Sequence, residues 1–148
     1  MNKTRVLFLC TGNSARSQMA EAFLRRYAGD YFEVHSAGLE PRPIHPYTLQ
    51  VMHEIGYDLS DHRSKPLSDY MGKVHFGYMI TVCGQAEERC PAVFPGMGQR
   101  LHWAFDDPAA FEGSEEERLN KFREVRDQID RRVREWLAEQ GIPVQSAG

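Results

Sequence analysis

Val6-Leu7-Phe8-Leu9-Cys10-Thr11-Gly12-Asn13-Ser14-Ala15-Arg16-Ser17 passes from an unbroken apolar run into a short polar turn. Four consecutive apolar residues without alternation suit a central parallel strand buried on both faces. Beyond the turn, Met19, Ala20, Phe23, Leu24 and Tyr27 recur at helical spacing. The stretch therefore reads as strand, tight turn and helix. A parallel strand needs a crossover to its neighbour, so this unit predicts an α/β fold.

The flanking sequence continues the alternation. Phe32 to Ser36 reads as a second strand. Pro41, Pro43 and Pro46 mark a loop, with Pro46 suited to open the next helix at its first turn. That helix carries Leu49, Val51, Met52 and Ile55 and ends near Gly56. Ser68 to Gly72 suggests a short helix, Gly77 to Val82 a third strand and Leu101 to Phe105 a fourth. Ser114 with Glu117 forms a capping box. Leu119, Phe122, Val125, Ile129, Val133, Trp136 and Leu137 then make one apolar stripe that Gly141 and Pro143 end. The expectation is a three-layer sandwich with a four-stranded parallel sheet flanked by helices, as one domain over residues 1–148.

The 148 residues carry 18 basic and 21 acidic side chains, a formal net charge of -3. This balance gives no reason to expect nucleic acid or an anionic membrane as partner. An anionic substrate would need a local site. No apolar run approaches a membrane span, and the start lacks the apolar stretch of a secretory signal. Three cysteines are too few, and odd in number, for a disulfide scaffold. A cytoplasmic protein is expected, with sparse cysteines that are buried, metal-bound or catalytic.

The turn places Cys10 and Arg16 at its two ends. Consecutive backbone N–H groups of Thr11, Gly12, Asn13, Ser14 and Ala15 can converge there as an anion nest. The helix that starts at about Ser17 adds its positive end. Gly12 permits a close turn, and Asn13 tolerates a left-handed conformation. Arg16 offers a planar fork to two oxygens of a tetrahedral anion. Ser17 can donate to the sulfur. A helix N-terminus and a nearby arginine lower a thiol pKa from ~8.5 to roughly 3.5–7.5, which makes Cys10 a nucleophile. The competing reading is a small buried cysteine and a surface arginine; the position between a buried strand and a helix start favours the site. The Gly-Lys-Ser/Thr ending of a nucleotide-binding loop is missing.

Cys83 and Cys90 follow the third predicted strand, whose carboxyl end shares a crevice with that of the first. In a regular helix they lie about two turns apart, too far for a disulfide unless the segment loops out. Taken alone they read by default as inert buried cysteines. A zinc site lacks a second close ligand pair, and the six histidines, scattered along the chain, show no metal-ligand spacing. Asp107-Pro108 follows the fourth predicted strand. Asp107 is either a turn or capping aspartate or a general acid near the loop.

Cys10 to Arg16, continued by Ser17-Gln18-Met19-Ala20-Glu21, resembles the low-molecular-weight tyrosine phosphatase superfamily, and most of all its thioredoxin-coupled arsenate reductases. The similarity runs from Val6 to about Trp136. It implies reduction of arsenate to arsenite, with Cys10 as nucleophile, Asp107 as acid and Asp106 orienting the loop. It further implies a relay through Cys83 and then Cys90, with electrons from external thioredoxin and no bound cofactor. Ala15 stands where some relatives have a fourth cysteine outside the relay. Some relatives bind potassium near the loop, and Asn13, Glu21 and Ser36 match such ligands. Arg63 and Lys65 replace neutral or acidic ones, so a fixed cation in place of the metal is expected. The resemblance suits a monomer. The rival within the superfamily is a phosphotyrosine phosphatase, against which Ala109-Ala110 follow Pro108 where aromatic residues would line a mouth for a phenyl ring.

Overall fold

The structure, a computed structural model, describes residues 3–82 and 97–144. Strands β1 (Thr4–Cys10), β2 (Phe32–Gly38), β3 (Phe76–Thr81) and β4 (Met97–His102) form one sheet in the order β2-β1-β3-β4. All neighbouring pairs are parallel. The expected four-stranded parallel sheet flanked by helices is what the chain builds. β1 is central, and Val6, Leu7, Phe8 and Leu9 are fully buried, which accounts for the missing alternation. Each such side chain contributes roughly 1.5–3 kcal/mol by leaving water.

Helices α1 (Arg16–Ala28), α2 (Pro46–His53) and α3 (Glu115–Glu139) complete the described residues' regular elements, with short 3-10 turns at Leu67–Asp69 and Pro108–Ala110. α3 has the anticipated capping box, the Ser114 hydroxyl accepting from Glu117 N while the Glu117 carboxylate accepts from Ser114 N. Its stripe of Phe122, Val125, Ile129, Val133, Trp136 and Leu137 is buried. Trp136 gathers Phe32 of β2, Tyr78 of β3 and Trp103, with ring centroids 5.3, 5.1 and 6.0 Å away. On the other face of β2, His35 meets Tyr70, which follows the first 3-10 turn.

Two expectations are corrected. The fourth strand runs from Met97 to His102, not from Leu101 to Phe105. Among the described residues it is an edge strand beside β3, and its Gly98 and Gln99 face solvent, so its start lacks an apolar signature. The apolar Trp103 and Phe105 instead pack beyond the strand end. α2 stops at His53, and Leu49 and Ile55 are exposed, while Val51 and Met52 are buried.

Candidate active site

The nucleophile loop lies where β1 ends and α1 begins. Its carbonyls face away from the cavity. Cys10 O accepts from Leu39 N, Thr11 O from Glu40 N, Gly12 O from Arg42 N and Ser14 O from His45 N. Asn13 O accepts from the Ser64 hydroxyl and from Gln18 Nε2, at 2.8 and 3.1 Å. In a trans peptide the following N–H points opposite to its C=O. The amides of Thr11, Gly12, Asn13, Ser14 and Ala15 therefore turn inward, which is an anion nest derived from its outer wall. Ala15 precedes α1 without a side-chain cap, so the helix's leading donors remain available to a bound anion.

The nest surrounds a cavity of about 100 Å³ lined by Cys10, Thr11, Gly12, Ser14, Ala15, Arg16, Arg42, Asp107 and Ala109. That volume holds a small tetrahedral oxyanion and little more. Cys10 is 2% exposed. Its Sγ lies 2.9 Å from Ser17 Oγ and accepts from Asn13 N at 3.2 Å. Directions in this network are fixed by one fact. Asn13 Oδ1 accepts from Lys65 N at 2.9 Å, which turns Asn13 Nδ2 toward Ser17 Oγ at 2.7 Å. The serine oxygen is thus an acceptor for Asn13, and its one proton is free to go to the sulfur. Hydrogen bonds to a charged form favour that form, so the arrangement stabilises a Cys10 thiolate.

The left-handed residue is Asn13, at φ 50°. Gly12 needs no such freedom, and a Cβ there would make only ordinary contacts, the nearest at 3.4 Å from Ser14 Oγ. The glycine that the loop requires is Gly38 at the end of β2. A Cβ on it would lie 2.8 Å from Thr11 O and 2.9 Å from Asn13 N.

Arg16 donates to Phe105 O at 3.1 Å, and its Nη2 sits 3.6 Å from Asp107 Oδ2. Its side chain is 11% exposed, and that of Asp107 is 44% exposed. Asp107 also accepts from Ala109 N at 3.0 Å, capping the second 3-10 turn. The capping and the cavity-lining readings of Asp107 thus hold together: the cap aims the carboxyl. Asp106 points away and pairs with Lys121 at 3.0 Å. Cys83 and Cys90 lie outside the described residues.

Behind the loop, Glu21 is 4% exposed. It accepts from the Ser36 hydroxyl at 2.5 Å and pairs with Arg25 at 2.9 Å. Lys65 Nζ lies 3.8 Å from Glu21 Oε1, 3.5 Å from Ser36 Oγ and 2.9 Å from Arg63 O. An ammonium group thus sits beside two of the three residues singled out as potassium ligands, Glu21 and Ser36, and the Lys65 amide orients the third, Asn13. Burial draws the Lys65 pKa down, opposed by Glu21. Among the described residues, no group of three or more His, Cys, Asp or Glu side chains is arranged for a metal ion.

Sequence reasoning missed the outer wall, formed by residues 39–45 and by Ser64. It also missed Gln18, which is fully buried and joins Asn13 O to Arg63 O. A glutamine beside the apolar stripe of α1 was the available signal. His62, one of the scattered histidines, is half-buried, with Nδ1 3.1 Å from Gln18 Oε1.

A cysteine sulfur in an amide nest, an arginine at the helix start and an aspartate at the rim define a cysteine-dependent enzyme for tetrahedral oxyanions. The family of low molecular weight phosphotyrosine protein phosphatases matches residues 5–146. An arsenate reductase of Halalkalibacterium halodurans is 44% identical, over 90% of this chain and 95% of the relative. A solved arsenate reductase in its oxidized state superposes with a TM-score of 0.76 at 31% identity, covering 92% of this chain and 98% of that one. A thioredoxin-dependent arsenate reductase of Corynebacterium glutamicum gives 0.69 at 34% identity, covering 93% of this chain and 61% of that one. The chain belongs to the low molecular weight phosphotyrosine protein phosphatase family, and within it to the arsenate reductases.

Proposed function

We propose that this chain reduces arsenate to arsenite through Cys10, Cys83 and Cys90, with thioredoxin as electron donor. The observation that carries the reading is the position of Val82. Its amide donates to Leu9 O at 3.0 Å, so the residue preceding Cys83 in the chain is tied to the residue preceding Cys10. The next residue in sequence after Val82 is the second cysteine, Cys83. Among the described residues, none lining the cavity is aromatic, and Ala109 is one of them, which disfavours a phosphotyrosine ring as the ligand.

Arsenate is held by the inward amides of residues 11–15 and by Arg16. The Cys10 thiolate attacks arsenic, and one arsenate hydroxyl leaves as water after taking a proton from Asp107. The Cys83 thiolate then attacks Cys10 sulfur. The electron pair of the S–As bond goes to arsenic, which departs as arsenite, and a Cys10–Cys83 disulfide remains. Two thiols have supplied the two electrons. Cys90 attacks Cys83 and releases Cys10 as thiolate, leaving Cys83–Cys90 for a thioredoxin dithiol. A phosphoryl group cannot leave as a reduced species in this way, so the same loop without the relay is a hydrolase. The enzyme acts as a cytoplasmic monomer, where thioredoxin is kept reduced and arsenic is detoxified. No helix among the described residues is long and apolar enough to cross a membrane.

The test is NADPH oxidation with thioredoxin, thioredoxin reductase and arsenate, followed by mass spectrometry of acid-quenched enzyme. Cys10–Cys83 and Cys83–Cys90 disulfides are expected in sequence, and Cys83→Ser should abolish turnover. Arsenate-dependent turnover that survives Cys83→Ser would remove the relay.

A further inference from the structure

Arg42 belongs to none of the motifs above, yet it lines the oxyanion cavity together with Cys10, Arg16 and Asp107. Its backbone is part of the loop's outer wall. Arg42 N donates to Gly12 O at 2.9 Å, and Arg42 O accepts from the Ser64 hydroxyl. Pro41 and Pro43 flank it and restrict the chain on both sides. Its aliphatic stem lies over Gly12, where a Cβ would be 3.7 Å from Arg42 Cδ and 3.8 Å from Cγ. Arg42 is exposed, and among the described residues its guanidinium has no ion-pair partner.

The charges of the cavity show what such a group supplies. Among the described residues, the ionisable lining groups apart from Arg42 are Cys10, Arg16 and Asp107. With Cys10 as thiolate and Asp107 ionised, two negative charges face one positive, and Arg16 already leans on Asp107 at 3.6 Å. Protonating Asp107 brings the three groups only to neutrality. A net charge of -3 over the chain provides no compensating long-range attraction. Among the described lining side chains, the formal charge is therefore neutral or negative until Arg42 is counted.

We infer that Arg42 is a specificity-determining capture residue, a second guanidinium that draws the oxyanion into the nest and is selective for higher anionic charge. This deepens the arsenate reading and rests on it. The exposed head on a stem packed over Gly12 places the charge at the entrance, while Arg16 remains the group beside the reacting sulfur. Removing Arg42 should weaken ground-state and transition-state binding alike, raising KM with little change in kcat.

The decisive measurement needs no turnover. Inorganic phosphate is titrated as a dead-end oxyanion, and its occupancy is read as protection of Cys10 from alkylation by iodoacetamide, quantified on the Cys10 peptide. R42A should weaken phosphate protection about tenfold and flatten its dependence on ionic strength, R42K should recover most of the loss, and R42E should weaken binding further. Thermal midpoints should match that of the unsubstituted chain, because the head is solvated. In arsenate turnover R42A should raise KM by a similar factor with kcat within about twofold. Equal phosphate affinity in R42A and the unsubstituted enzyme overturns the inference, as does a loss in R42A that salt does not modulate. Absence of arsenate turnover with intact phosphate capture would instead sink the reductase reading and leave the role of Arg42 decided by the titration. Failure of phosphate to protect the unsubstituted enzyme overturns both.

Discussion

Replacing Ser17 by alanine isolates the hydroxyl that couples Asn13 to Cys10. Ser17 and Asn13 are both fully buried, so no water can replace the missing oxygen without rearrangement. The hydroxyl accepts from Asn13 Nδ2 at 2.7 Å and gives its proton to Cys10 Sγ at 2.9 Å. A hydrogen bond to a charged group contributes about 1.5–3 kcal/mol. At about 1.36 kcal/mol per pKa unit, its loss should raise the Cys10 pKa by roughly 1–2 units. The backbone donor from Asn13 remains at 3.2 Å, so the thiolate is weakened but not lost. Asn13 Nδ2 is left without its acceptor, which costs folding about 1–3 kcal/mol. The assay is the pH dependence of iodoacetamide alkylation, followed on the Cys10 peptide by mass spectrometry, beside a urea titration. An unchanged Cys10 pKa in Ser17→Ala would show that the hydroxyl proton points elsewhere, and the direction assigned from Lys65 through Asn13 would be wrong.

Gly38→Ala drives a Cβ to within 2.8 Å of Thr11 O and 2.9 Å of Asn13 N, both backbone atoms. The loop must shift, and since a misplacement near 1 Å can cost about 100-fold, arsenate kcat/KM should fall about 10- to 100-fold while circular dichroism stays unchanged; normal kinetics would show a more pliant loop. Lys65 Nζ among Glu21, Ser36 and Arg63 O should make turnover equal in potassium and sodium salts, and Lys65→Met should cost about 1.5–3 kcal/mol in urea unfolding; stimulation of the unsubstituted enzyme by potassium refutes the fixed-cation assignment. Burial holds the His62 pKa below the ordinary histidine value, with Glu21 pulling the other way. The unfolded chain therefore binds the extra proton first, and stability should decline as pH falls below about 6.5 toward the folded-state value. Urea midpoints of His62→Gln should lose that part of the decline, and parallel pH profiles for the two proteins would exclude the histidine.

What the sequence disclosed of the site followed from chemistry local in the chain. Cys10, Arg16 and Ser17 belong to one strand–turn–helix unit, so their joint geometry is set by a single crossover. The capping box and stripe of α3 were legible for the same reason, since every signal lies within one helix. The wall that orients the loop comes from residues 39–45 and 63–65, brought there by the parallel pairing of β2 with β1. No local pattern marks such residues, because a backbone amide of Leu39 or Arg42 looks like any other until the sheet register is known. The start of β4 escaped for a related reason: an edge strand rests on its neighbour and carries little apolar content of its own at Gly98 and Gln99.

The wall also explains why a loop of small residues can hold a thiolate at all. An anion nest concentrates inward N–H dipoles whose mutual repulsion would open it if the carbonyls were free to turn. Here each carbonyl from Cys10 to Ser14 is bonded outward, to Leu39, Glu40, Arg42, to Ser64 and Gln18, and to His45. The nest is consequently preorganised before any anion binds, and the cost of aligning its dipoles is met by folding. Lys65 ties two sides of this scaffold, its amide fixing Asn13 and its ammonium facing Glu21. The electrostatics of Cys10 are thus controlled by residues more than fifty positions away in the chain, through hydrogen bonds whose directions leave no alternative orientation for the Asn13 amide.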